Sequence, residues 1–505
     1  MKIQLDRESR IPLYIQIINQ IKAMIFSGAL PPEYLLPPER KLAEELEVNR
    51  STILNAYREL KAEGLVHSRI GKGTMVVPYE SKTQVSIRPP EHRLTWQYLL
   101  SDEACRFNDI RIIEMLRVNG DQPIISFATG MADPALYPVD EFYPDITYDI
   151  VKKKRALGHT LVEGCVELRK TIMKMQKEKG IDSLLEELLI LSGSQQGLNL
   201  VARCLLNAGD TVIVQEPTYI GALQIFSNAG VKIISVPVEE KGMRLDIMET
   251  LIKKHKPKLI YVIPTFQNPT GTTMDLKSRI KLLNIAYSNQ VPIIEDDAYG
   301  ELRYEGNTFP SLKALDQYDH VLYLNTFSKT LFPGIRIGWM CGPKEIIHQL
   351  TVKKQLEDLH TSTFSQVFLT EFLKSGRFQV HIDESCRYYR EKRDTMLKKL
   401  ENSRIKGLRW VRPSGGLYIW CGLPLNISAD TLLLKSKEKG VIFVPGSAFF
   451  LNNKGNEYIR LNFTYPTVKE IEKGMMILLN VIEEENKKNQ EKIINKDSAI
   501  CNPIY

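Results

Sequence analysis

The sequence predicts a small three-helix unit with a strand hairpin, followed by a large α/β unit built on a largely parallel sheet. Three observations carry this. Within residues 1–78, apolar residues recur at helical spacing in three stretches, and two short strand-like runs follow. From about residue 105 to 482, short apolar runs bounded by Gly, Pro, Asn or Asp alternate with helical patterns. Between them, residues 79–104 are mostly polar, with Pro89-Pro90 and little periodicity, and read as a linker or ordered strap.

In the first unit, Leu13, Ile17, Ile21 and Met24 or Ile25 share a helical face after Pro12, and Ser27-Gly28 then Pro31-Pro32 stop that helix. A second short helix is expected near Glu39–Leu46, with Leu42, Ala43 and Leu46 apolar. After a turn at Glu47–Asn49, a third helix places Ile53, Ala56, Tyr57 and Leu60 on one face, and Gly64 closes it. LVHSRI and TMVV then form two strands joined by Gly71-Lys72-Gly73. Within 79–104, Trp96, Tyr98, Leu99 and Leu100 offer an apolar docking point. In the large unit TVIVQ, VKIISVPV, KLIYVIP, VPIIEDD and HVLYLNTF are the strand candidates. Residues 483–505 are charged and apolar-poor, and a frayed or disordered tail is expected.

Composition excludes several classes. The 505 residues are 43% hydrophobic and 25% charged, ordinary for a globular protein. A net charge of +7, from 67 basic and 60 acidic side chains, is too small for a histone-like binder, so any nucleic-acid contact must be local. Mean hydropathy is −0.20, no apolar run reaches membrane-spanning length, and MKIQLDRESR lacks the apolar core of a signal peptide. The seven cysteines form no C-x-x-C pair and the eight histidines show no ligand spacing, so neither a disulfide scaffold nor a metal site is expected. These features point to a reduced, cytoplasmic protein.

The first unit carries a nucleic-acid signature. Asn49 or Ser51 can cap the third helix, which presents Arg50, Ser51 and Thr52 at the end where a recognition helix meets base edges and phosphates. Arg40 and Arg50 bracket the turn, while Arg69 and Lys72 lie on the hairpin. Net charge does not decide the matter, since residues 1–78 hold 11 Lys/Arg against 9 Asp/Glu. Motif order does. Pro12-Leu13-Tyr14, Leu36-Pro37, Arg40-Lys41-Leu42-Ala43, Val48-Asn49-Arg50-Ser51-Thr52, Ala56-Tyr57, Glu63-Gly64-Leu65 and Gly71-Lys72-Gly73-Thr74 resemble the winged helix-turn-helix of the GntR superfamily. The resemblance implies binding to double-stranded DNA through Arg40, Arg50, Ser51, Thr52, Arg69 and Lys72, the cations chiefly on phosphates. Pro38 stands where that family usually has a capping Ser, a substitution a first helical turn tolerates.

The large unit carries the partners that pyridoxal phosphate needs: an amine-bearing lysine, a carboxylate for the ring nitrogen, a donor for the ring oxygen, a stacking aromatic, a phosphate cradle and a carboxylate-binding arginine. Ser192-Gly193-Ser194-Gln195-Gln196-Gly197 follows the apolar run LLIL and opens a helix. Glu216-Pro217-Thr218-Tyr219, Asn268-Pro269-Thr270-Gly271 and Glu295-Asp296-Asp297-Ala298-Tyr299 each end a strand-like run. Thr326-Phe327-Ser328-Lys329 precedes Pro333-Gly334-Ile335-Arg336-Ile337-Gly338, and Tyr458-Ile459-Arg460-Leu461-Asn462-Phe463 comes last. Any one of these could be a plain turn or cap. In this order they resemble the fold-type I aminotransferases, with large and small subdomains.

That resemblance implies a role for each residue. Lys329 forms the internal aldimine, Asp296 pairs with the ring nitrogen, Tyr299 and Asn268 hold the ring oxygen, and Tyr219 stacks. Ser194, Gln195, Thr326, Ser328 and Arg336 hold the phosphate, and Arg460 receives the carboxylate of a substrate or effector. His159 stands where the family often has a Tyr that reaches the neighbouring subunit's phosphate. Phe127–Pro134 is close to the family's substrate-side loop.

A GntR-type head on an aminotransferase-like body is similar to the plan of the MocR family of bacterial transcription regulators. The resemblance implies a head-to-tail homodimer and a pyridoxal-phosphate-dependent regulator that senses an amino-acid-like effector through external aldimine formation. A working aminotransferase with a fused head is the alternative, and a regulator responding to the cofactor itself a third reading.

Overall fold

The computed structural model describes residues 1–7, 9, 11–69, 71–78, 99–101, 104, 124–138, 154–239, 242–452 and 454–500, with side chains of the last helix to residue 489. The chain divides into two compact units, Met1–Thr95 and Trp96–Tyr505. Most of the expected linker, Trp96 and Tyr98 included, lies outside the described residues. Leu99 and Leu100 are exposed rather than docked.

The first unit follows its periodicity closely. α1 (Leu13–Phe26) buries Ile17, Ile18, Ile21 and Ile25, α2 (Glu39–Glu45) buries Leu42 and Ala43, and α3 (Arg50–Ala62) buries Ile53, Ala56, Tyr57 and Leu60. Pro38 occupies the N-cap position of α2 without a side-chain bond. Asn49 caps α3, its Oδ1 accepting from the Ser51 backbone N–H at 2.9 Å. The wing is β1 (Val66–Arg69) against β2 (Gly73–Val76), antiparallel, with Arg69 opposite Gly73. Tyr57 donates to the Pro37 carbonyl at 2.8 Å, which ties α3 to the turn before α2.

In the second unit, β3 (Ile125–Ser126) is followed by β4 (Leu188–Leu191), β5 (Thr211–Glu216), β6 (Lys232–Glu239), β7 (Gly242–Met243), β8 (Leu259–Val262), β9 (Ile293–Asp296), β10 (Val321–Thr326) and β11 (Gly338–Cys341). The last eight form one sheet in the order β4-β11-β10-β9-β8-β5-β6-β7. Pairings from β10 through β9, β8 and β5 to β6 are parallel, whereas β11 runs antiparallel to both β10 and β4. Alternation sends neighbouring residues to opposite faces. Val212 and Val214 join one core and Ile213 the other, as Ile294 and Ile293 do on β9.

A smaller antiparallel sheet contains β12 (Arg409–Trp410), β13 (Tyr418–Gly422), β15 (Val444–Pro445) and β16 (Tyr458–Asn462), while β14 (Val441–Ile442) pairs with β3. The long helices Arg377–Asn402 and Val468–Ile500 belong to this part. The final helix runs into the stretch expected to fray, as far as Ile500. Its charge is organised for helix, with Lys487 on Glu483 at i,i+4 and Lys488 on Glu485 at i,i+3. It is also held laterally, since Lys439 meets Glu484 at 2.9 Å and Asn489 donates to the Asn426 carbonyl at 2.8 Å.

Candidate functional site

Loops at one edge of the large sheet bring the predicted body residues together. β5, β8, β9 and β10 are parallel, so the segments after them leave the same edge, where ligands of open α/β sheets bind. Those segments carry Tyr219, Asn268, Asp296-Tyr299 and Ser328-Lys329.

Asp296 ends β9, fully buried. Its Oδ2 accepts from the Tyr261 hydroxyl at 2.8 Å, and its Oδ1 is buried with no partner. Burial, with the neighbouring Asp297 carboxylate, pushes its pKa up to about 6, against the pull of Tyr261 and Lys329. A buried carboxylate oxygen without a donor is costly, and a protonated ring nitrogen would satisfy it. Tyr299 receives a hydrogen bond from the Asn268 amide at 3.2 Å, and burial holds its phenol well above the ordinary range. Tyr219 donates to Gln195 Oε1 at 3.0 Å, and burial pushes it up to about 12. The Gln195 side chain thus braces the Tyr219 ring. Gly221 is needed there, since a Cβ would come within 2.6 Å of that ring.

The residues expected to cradle a phosphate are brought close to one another. Ser194 begins the helix Ser194–Leu205, whose first N–H groups and positive end favour an anion. Gly193, at φ 102°, leaves room for Arg336, whose Nη2 would lie 2.5 Å from an added Cβ. A Cβ at Gly338 would meet the Ser194 nitrogen at 3.0 Å. Arg336 donates to the Ser192 carbonyl at 2.8 Å and to Ser328 Oγ at 3.2 Å, and Thr326 Oγ1 donates to Ser328 Oγ at 3.1 Å. Thr326, Ser328 and Arg336 are thus linked by hydrogen bonds, and Arg336 reaches the turn that leads into Ser194.

Lys329 is half-buried, and its Nζ donates to the Gly130 carbonyl at 2.7 Å. Arg460, on β16, is 6% exposed. It donates to Asn268 Oδ1 and to the Ala128 carbonyl, each at 3.0 Å, while its Nε has no partner. Its guanidinium sits 4.1 Å from the Tyr418 ring centre and 4.9 Å from that of Phe449. His159 is exposed, with its Nδ1 2.8 Å from His360 Nε2. Sequence reasoning missed Tyr261, Tyr418 and the carbonyls of Ala128 and Gly130. Tyr418 had a signal, an aromatic directly after Ser-Gly-Gly-Leu. Tyr261 had none, being one more apolar-looking residue inside a strand.

In the first unit, a groove of about 490 Å³ gathers Arg40, Arg50 and Lys72 between the start of α3 and the wing. Arg50 also meets Glu39 at 3.3 Å. Ser51 is turned back, donating to Asn49 Oδ1 at 2.8 Å. Arg69 is exposed on β1 and does not line the groove. Among the described residues, no group of three or more His, Cys, Asp or Glu could hold a metal ion. None of their helices is long and apolar enough to cross a membrane.

Fold and site together define a pyridoxal-phosphate-binding unit of aminotransferase type preceded by a winged helix-turn-helix. The family "Aminotransferase class I and II" matches residues 149–477, and "Bacterial regulatory proteins, gntR family" matches residues 13–76. The chain belongs to the class I and II aminotransferase family in its fusion with a gntR-family head, the plan of the MocR regulators. The HTH-type transcriptional regulator YdfD of Bacillus subtilis, itself uncharacterized, is 31% identical over 94% of this chain and 97% of its own. The probable rhizopine catabolism regulatory protein MocR of Rhizobium meliloti is 28% identical, over 93% and 94%. Kynurenine aminotransferase of Pyrococcus horikoshii, solved in complex with PMP, is 39% identical with a TM-score of 0.74, over 77% of this chain and 98% of its own.

Proposed function

We propose that the protein is a transcription regulator whose body senses an amino-acid-like effector and whose head binds double-stranded DNA. The observation that supports it most is the fusion: an aminotransferase-family body follows a gntR-family head with three cations gathered in one groove. Pyridoxal phosphate, when bound, supplies an aldehyde that condenses with amines and a ring that withdraws electrons from the adjoining carbon. Asp296 holds the ring nitrogen in its protonated form, Tyr299 and Asn268 hold the ring oxygen, and Lys329 supplies the amine that an effector displaces. Ser194, Gln195 through its backbone, Thr326, Ser328 and Arg336 hold the phosphate. Arg460 takes the effector's carboxylate, and its partnerless Nε is one donor for it. Arg40, Arg50 and Lys72 hold DNA phosphates, with Arg69, Ser51 and Thr52 at the margin. The domains run as 1–78, a linker at 79–104, and the body at 105–482. The working state is a cytoplasmic head-to-tail homodimer, with His159 toward the partner. Effector binding changes DNA affinity only as far as it distinguishes body states that place the heads differently.

One observation favours an active aminotransferase instead. Every residue type the chemistry needs is present in the sequence, and a lysine such as Lys329 can shuttle protons as well as bind. An absorbance scan of the purified protein decides the first step. A visible band that borohydride fixes onto Lys329, absent in Lys329→Ala, is expected. Amino acids that shift the band should then change operator affinity. Steady transamination without any change in DNA binding would replace the regulator by the enzyme.

A further inference from the structure

The segment Phe127–Asp133 is held along its length by residues far later in the chain. The Phe127 carbonyl accepts from the Asn462 N–H at 2.8 Å. The Ala128 carbonyl accepts from Arg460 at 3.0 Å, the Gly130 carbonyl from Lys329 at 2.7 Å, and the Met131 carbonyl from Thr464 Oγ1 at 2.9 Å. At its end Asp133, 4% exposed, pairs with Lys392. Lys392 is wholly buried on the helix Arg377–Asn402. It also donates to the Thr464 carbonyl at 2.8 Å and lies 4.5 Å from the Tyr388 ring centre. The Asp133 N–H donates to the Tyr389 hydroxyl at 3.0 Å, and Asp133 Oδ1 accepts from the Ala135 N–H at 2.9 Å.

Two of these carbonyls face the two cations that an amino acid must engage. A carboxylate arriving at Arg460 competes with Ala128 for its donors. An amine that displaced Lys329 from bound cofactor would leave Nζ as a free amine carrying two protons, and the Gly130 carbonyl, 2.7 Å away, would accept from it. Binding therefore weakens one hold on the segment and strengthens another two residues on. Both ends stay pinned, by β16 and by the buried Asp133–Lys392 pair. A pinned segment resists the exchange and competes with the ligand for Arg460.

We propose that Lys392 is a positioning residue for effector recognition: through Asp133 it holds the segment that sets the Ala128 carbonyl against Arg460, and so sets how readily an arriving carboxylate displaces that carbonyl. This rests on the cofactor-binding reading above. The test uses the full chain loaded with pyridoxal phosphate, titrated with α-amino acids and with matching amines that lack the carboxylate. Lys392→Met combined with Asp133→Asn removes both charges and leaves neither buried alone. It should shift the band at about 10-fold lower amino-acid concentration, with the carboxylate-free amines unchanged, and Lys392→Arg should restore the original value. Equal movement for both ligand types, no movement, or weaker amino-acid binding overturns the proposal. Amide exchange in the unaltered protein is a second measurement, independent of how the variant folds. An amino acid that shifts the band should change protection of peptides covering residues 127–133, and a matching amine should not. Absence of that difference also overturns it. A protein with no visible band at all sinks the cofactor reading together with this one, whereas a responsive band with no difference sinks this one alone.

Discussion

Arg460 and Asn268 share one hydrogen bond across the site: Arg460 Nη1 donates to Asn268 Oδ1 at 3.0 Å, and the same amide's Nδ2 donates to Tyr299 at 3.2 Å. The proposed carboxylate receptor and the proposed ring-oxygen donor are thus linked through one side chain. Asn268→Asp would place a carboxylate against Arg460 and remove the donor to Tyr299. The half-saturating amino-acid concentration should rise at least about 10-fold, since hydrogen bonds to charged groups contribute about 1.5–3 kcal/mol. Carboxylate-free amines should lose much less. Titration of the visible band separates the two, and equal losses would deny Arg460 its carboxylate.

Gly193 is the tightest point of the proposed phosphate cradle. At φ 102°, with Arg336 Nη2 2.5 Å from any added Cβ, alanine must both strain the backbone and push the guanidinium aside. Gly193→Ala should weaken pyridoxal phosphate binding by about 10-fold or more, read by fluorescence quenching or dialysis. The cofactor-free melting temperature should fall by only a few degrees. Unchanged cofactor affinity would mean that Arg336 does not hold the phosphate.

Asp296 makes the cofactor-free protein sensitive to pH. Burial raises its pKa from 3.8 to about 6, a separation that corresponds to ~3 kcal/mol. Below pH about 4 both folded and unfolded chains keep the proton. As pH rises toward 6 the unfolded chain releases it first, so this group's contribution to stability is lost over that window and then levels off. Asp296→Asn should therefore lessen the pH dependence of cofactor-free unfolding between pH 4 and 6, with Glu295, which burial raises to about 7, contributing part of what is left. It should also weaken cofactor binding, where the carboxylate is needed as an anion. Denaturant unfolding at a series of pH values checks the first part, and a variant as pH-sensitive as the parent would remove Asp296 from the account.

Much of this was legible because local chemistry and tertiary role coincide. Asn49 is read as a cap from its place before a helical face, and its Oδ1 bond to Ser51 needs nothing from the rest of the chain. Asp296, Asn268 and Lys329 sit at the ends of runs whose apolar pattern marks them as buried strands, so their shared edge follows from parallel pairing. What stayed hidden depends on distant partners. Gln195 turned to Tyr219 because the ring after β5 offers it a hydroxyl. Lys392 reads as one charge among many on a 26-residue helix, and only packing against Asp133, 259 residues away, buries it. The first turns of the stretch read as a tail are held by Lys439 and Asn426 from elsewhere, partners that its own composition does not announce.

The head offers a last test through Glu39 and Arg50. They form an exposed ion pair at 3.3 Å beside the groove shared with Arg40 and Lys72. Such a pair contributes about 0–1 kcal/mol, so it can restrain Arg50 but not hold it against a phosphate. Arg50→Ala should weaken operator binding and lower the slope of log affinity against log salt by about 1, the signature of one lost phosphate contact. Glu39→Gln should act in the opposite direction, freeing Arg50 and removing a negative charge near the phosphates. A gain of a few-fold at low salt is expected, fading as salt rises. Both are read by fluorescence anisotropy over a salt series with operator DNA. If Arg50→Ala weakens binding at an unchanged salt slope, Arg50 contacts a base rather than a phosphate. If Glu39→Gln leaves affinity unaltered, the ion pair does not compete with DNA.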